Sequence, residues 1–108
     1  MKNQTKNIVY SVYLAIRKII KEEYQKSINT CDNNYERTFV VNPKIDGMII
    51  GVVTLASQQL HQIGNKDEFF YWDKMRALAS NLVIKFLDYP NTTFSQNDFD
   101  ELVDKICE

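Results

Sequence analysis

The chain has 108 residues, with 13 basic and 14 acidic side chains, one histidine, two cysteines and a net charge of −1. At 44% hydrophobic and 25% charged it has the make-up of one ordinary soluble domain spanning residues 1–108. Three glycines and two prolines exclude a collagen-like or low-complexity chain and argue against a turn-rich β sandwich, and the near-neutral charge argues against a nucleic-acid coat protein.

The spacing predicts a first helix over residues 5–27. Ile8, Val9, Val12, Ala15, Ile16, Ile19 and Ile20 recur at three- and four-residue steps, the repeat of one helix face. Lys2 and Lys6 ahead of the apolar stretch 8–16 have the outline of a secretory signal. Arg17 and Lys18 follow at once, however, and no small-x-small cleavage site appears. Cys31, Asp32, Asn33 and Asn34 then supply loop chemistry, because short polar side chains compete for backbone hydrogen bonds. Residues 35–41 suit an extended chain, but a lone strand has no ladder partner, so an ordered extended connector is expected over 29–42.

A second helix is predicted over 43–63. Asn42 suits the N-cap and Pro43 the first helical position. Ile45, Met48, Ile49, Val52, Val53, Ala56, Leu60 and Ile63 hold one face, and Gly64 suits a C-terminal cap. A third helix over 66–88 starts beside Asn65 and Glu68 and faces the core through Trp72, Met75, Ala79, Leu82, Val83 and Phe86. Pro90 cannot continue it. The fourth, over 96–106, has the sharpest local signal. Ser95 is the N-cap, Asp98 stands three residues on, and Phe94 and Phe99 flank the cap as a hydrophobic staple. Phe99, Leu102, Val103 and Ile106 face inward, leaving Asp98, Asp100, Glu101 and Asp104 outside.

Short connections favour antiparallel neighbours, so the expected fold is all-α: a compact up-down-up-down bundle of four principal helices. That topology puts Cys31 and Cys107 roughly 30 Å apart, beyond disulfide reach, and makes reduced thiols and a cytoplasmic location the expectation. Residues 47–65 carry no formal charge but hold Gln58, Gln59, His61 and Gln62, too polar a stretch to span a bilayer.

Charge is unevenly spread. Residues 1–30 hold six basic and two acidic side chains, and residues 66–108 hold five and nine. The first helix carries a second stripe in which Lys6, Tyr10, Tyr13, Arg17, Lys21 and Tyr24 share about a quarter of the helical wheel. Aromatic rings among cations suit a protein partner, through Tyr and Arg anchors, or a nucleic-acid strand, through stacking and phosphate contact. They equally suit the edge of a core, with polar ends reaching water. The reading adopted is a partner-binding face, with the acids of the fourth helix as its charged counterpart. If the fourth helix covers the first, the basic field is quenched.

Two further surfaces point to contact with another chain. Gly47 and Gly51 stand four residues apart on the outer side of the second helix, flanked by Ile50 and Leu55. Interior helical glycines cost about 1 kcal/mol each, and close helix approach is a usual reason for them. The alternative is that Gly51 packs beneath the connector. Phe70, Ala77 and Ile84 draw a second apolar line on the third helix. No helix of a four-helix bundle is central, so this line also favours oligomerisation, with a homodimer the first candidate.

Catalytic chemistry is thinly supplied. His61 lies in a Gln-rich stretch where the spacing sets no catalytic base or nucleophile beside it, the acids of the fourth helix lack the separation of an acid–base pair, and no phosphate loop or metal-ligand spacing occurs. The expectation is a non-enzymatic chain without cofactor or metal. It would be a small inhibitor, immunity factor or adaptor that docks a helical surface on a protein. Ten lysines against three arginines suggest an AT-rich genome, such as that of a phage or mobile element. The alternatives are a nucleic-acid-binding subunit of a larger complex and a homo-oligomeric scaffold.

Overall fold

The computed structural model describes residues 2–24, 42–64, 68–89 and 91–107. Helix α1 runs Lys2–Ile19 and continues into a π-helical turn, Ile20–Tyr24; α2 is Asn42–Gly64, α3 is Glu68–Asp88 and α4 is Gln96–Cys107. The four helices form an all-α bundle, with no strand among the described residues. Several expectations lie outside those residues: the first helix over 25–27, the connector over 29–41, the position of Cys31, the capping role of Asn65 and the third helix over 66–67; Asn42, expected to close the connector, begins α2.

Helix starts and stops follow their local chemistry. At α4 the Asp98 N–H donates to Ser95 Oγ at 3.2 Å and the Ser95 N–H donates to Asp98 Oδ2 at 2.8 Å, so two otherwise orphaned donors are satisfied reciprocally. The Phe94 and Phe99 rings lie 5.6 Å apart across this cap, which is the expected staple. At the far end of α4, Lys74 of α3 donates to the carbonyls of Lys105 and Ile106 at 3.0 and 3.2 Å. That puts a cation on the negative end of the helix dipole and ties the two helices together. Helix α1 starts at Lys2, three residues earlier than its periodicity predicts. The ion pair from Lys44 Nζ to Glu23 Oε2, 3.3 Å, joins the π-helical turn to the start of α2.

Helices α1 and α3 each pack against the other three, with α2 and α4 both seated on that pair. The expectation that no helix is central therefore needs correction: α1 and α3 form the inner pair. This explains which residues leave their predicted places. Tyr13, Tyr71 and Leu78 are buried although they lie off the main stripes, because an inner helix is covered on more than one side. On the flanking helix α2 the buried face is narrower, and Met48, expected in the core, is 39% exposed. Trp72 and Val83 are half-buried at the α2 edge of α3. Buried Ser57 is satisfied within α2, donating to the Val53 carbonyl at 2.6 Å.

Candidate functional site

The stripe read from α1 is largely taken up inside the molecule. Tyr13 is 4% exposed and sits in an aromatic cluster. Its ring centroid lies 4.9 Å from Phe94, 5.1 Å from Phe99 at 86°, and 5.5 Å from Phe86. Arg17 is half-buried and donates from Nη1 to the Tyr13 hydroxyl at 3.2 Å. Tyr10, 48% exposed, stacks at 6.2 Å on Tyr13 and meets Phe99 edge-on at 5.5 Å. Lys6 pairs with Asp100 of α4 at 3.4 Å. Helix α4 thus covers one flank of α1, and the acids expected to serve docking instead begin to neutralise the helix beneath them. Tyr13 is corrected from docking anchor to core residue. Lys21 is exposed, and the Tyr24 side chain lies outside what is described.

Aromatic interleaving carried the misreading. A tyrosine three or four positions from cations looks the same on a wheel whether the next helix covers it or leaves it in water. The staple of α4 was the available signal, because Phe94 and Phe99 need an apolar surface to close on, and Tyr10 and Tyr13 supply it.

The candidates on α2 and α3 fare differently. An open groove of about 350 Å³ runs between these helices. Ile49, Ile50 and Val53 line it from α2, and Trp72, Ala79, Val83 and Ile84 from α3, with Asp46, Arg76 and Ser80 as its polar members. Ile50 and Ile84 are 47% and 59% exposed, so the groove lifts two large aliphatic side chains into water. The Arg76 guanidinium lies over the Trp72 ring at 5.2 Å, which orients both groups. Beside Ile50, Gly47 and Gly51 leave the outer flank of α2 bare. A Cβ added at either meets nothing within 4 Å, and Leu55 next to them is exposed.

The second apolar line of α3 does not form one surface. Ile84 belongs to the α2–α3 groove, whereas Ala77 lines a smaller recess of about 150 Å³ against α4, with Lys74, Leu78, Leu102 and Lys105. Phe70 is half-buried, packed edge-on against Tyr71 at 5.2 Å and beneath the Lys74 ammonium at 4.2 Å. Asp46, Trp72, Arg76 and Val83 were not singled out as surface residues. The opposite charges bordering the apolar stripes of α2 and α3 were the signal for Asp46 and Arg76.

Groups with chemical potential are scattered. His61 is exposed on α2, far along the helix from Asp46. The Tyr71 phenol is pushed above its ordinary value by burial and secondarily by the neighbouring Cys107. The Ser95 N–H, and then its hydroxyl, hold the Asp98 carboxyl below the usual carboxylate range, a capping effect. No group of three metal-ligating side chains forms among the described residues, and no helix among them is long and apolar enough to cross a membrane. Comparison of the chain with protein-family models, with curated proteins and with solved structures finds no match in any of the three.

Proposed function

We propose that the chain is a non-catalytic protein–protein interaction module, a small inhibitor, immunity factor or adaptor, whose docking surface is the α2–α3 groove. One observation carries this reading: Ile50 and Ile84 stand 47% and 59% exposed over an apolar floor that includes Trp72 and Val83. Large aliphatic side chains grouped around a groove are what a binding surface needs at its centre, and exposing them without a partner has no folding benefit. The cytoplasm, and a phage or mobile element of an AT-rich genome, are the proposed setting, resting on composition alone.

The nucleic-acid alternative loses support because its stacking and phosphate-binding groups are engaged elsewhere: Tyr13 is in the core and Lys6 is paired with Asp100. The test uses immobilised wild type and the Ile50→Glu/Ile84→Glu variant side by side, against an extract of cells that make the chain. Matched helicity by circular dichroism controls for folding. A protein retained by the wild type and lost on the variant is the expected result. Equal retention by both, or none by either, overturns the reading.

A further inference from the structure

We propose that the occupant of the α2–α3 groove is a second copy of this chain, related to the first by a two-fold axis crossing the groove at its middle. The proposal rests on the reading of this groove as a docking surface and adds its partner. Helices α2 and α3 are consecutive, packed together and joined through residues 65–67, so they run antiparallel. Asp46, near the start of α2, therefore lies at the end of the groove where Val83 and Ile84 stand. Arg76 lies toward the other end, on the Val53 side. At a rise of 1.5 Å per residue the two are separated along the groove by roughly 10 Å. Neither has an ion-pair partner among the described residues.

A carboxylate at one end and a guanidinium at the other make the groove self-complementary. Rotation by two-fold symmetry reverses a second groove end for end, bringing its Arg76 to Asp46 and its Asp46 to Arg76. Between these two equivalent ion pairs, Ile50 and Ile84 of each copy meet the other's apolar floor, giving an apolar centre with a charged rim. Trp72 already holds Arg76 from beneath, so little ordering is left for the pairing to impose. A net charge of −1 sets almost no repulsion against a second copy. The bare flank at Gly47 and Gly51 admits close approach of the opposing α2.

Sedimentation velocity and light scattering over a micromolar-to-millimolar series test the proposal. The wild type is expected to reach a mass of twice 12.7 kDa. Asp46→Arg and Arg76→Asp are each expected to weaken association roughly tenfold or more, and the double swap Asp46→Arg/Arg76→Asp to restore it. Both side chains are exposed, so the variants keep the fold, checked by their helicity. A monomeric wild type throughout the series overturns the proposal. Single variants that leave association unchanged, or a double swap that fails to recover it, overturn it equally. A monomeric wild type whose captured protein is still lost on Ile50→Glu/Ile84→Glu leaves the docking reading standing without the second copy. A swap-restored dimer with no protein other than the chain itself lost from the capture on Ile50→Glu/Ile84→Glu leaves the second copy standing without a different partner.

Discussion

Truncating Tyr13 to alanine separates a core residue from a docking anchor. Its ring touches those of Phe86, Phe94 and Phe99 at centroid distances of 4.9–5.5 Å, and the residue is 4% exposed. Removing it takes away roughly 150 Å² of buried aromatic surface. At about 25 cal/mol per Å² this costs about 4 kcal/mol, within the range of about 3–5 kcal/mol for large aromatic-to-alanine truncations. A surface tyrosine would cost less than about 0.5 kcal/mol. A domain of this length has about 5–15 kcal/mol of stability in total, so the variant should remain folded with a much reduced margin. Urea unfolding followed by circular dichroism should show the midpoint falling by about 2 M for a slope near 2 kcal/mol per M. Tyr13→Phe keeps the ring and loses only the hydrogen bond from Arg17, 3.2 Å long and part-buried. It should cost about 0.5–1 kcal/mol. A Tyr13→Ala variant within about 0.5 kcal/mol of the wild type would refute the assignment of Tyr13 to the core.

The cap of α4 should respond to acid. Because the folded-state pKa of Asp98 lies below its ordinary value of 3.8, its stabilising effect is fully present above that value and is lost as pH falls through the lower folded value. The stability difference between wild type and Asp98→Ala should hold steady well above pH 3.8 and narrow progressively as the pH falls below it. A difference that persists unchanged in acid would exclude this cause. On α2, Gly51→Ala should stabilise the monomer by about 1 kcal/mol, because the new Cβ meets no atom within 4 Å. Thermal unfolding at a concentration where the chain is monomeric measures it, and a lower melting temperature would mean that the bare flank is covered within the chain.

Shielding of α1 by α4 bears directly on function. The positive start of the chain meets the acidic end through Lys6 and Asp100, so the basic balance of residues 1–30 is not presented whole to a polyanion. Exposed apolar area is instead concentrated on α2 and α3, whose central residues Ile50 and Ile84 were already singled out from spacing alone. The functional proposal therefore moves from one predicted face to the other, and the residues it now needs are Asp46, Ile50, Arg76 and Ile84 rather than Tyr13.

Helix identity was legible in the chain because its causes are local. The Asn42–Pro43 start, the Ser95–Asp98 box and the Phe94–Phe99 staple act over a few residues, and the apolar repeats of α1 and α4 follow from 3.6 residues per turn. Periodicity also identified most of the core, including Val9, Ile16, Val53, Leu60, Met75, Leu82 and Phe86. What periodicity does not contain is the number of neighbours a helix has. Only the tertiary arrangement made α1 and α3 the inner pair, and with that it buried Tyr13, Tyr71 and Leu78. It also left Met48 39% exposed, and placed Ala77 and Ile84 in different grooves. A side chain at the edge of a stripe has an environment set by the helix beside it. That helix is distant in sequence, as Phe99 is from Tyr13, so local pattern decides the helix and packing decides which of its edges remains a surface.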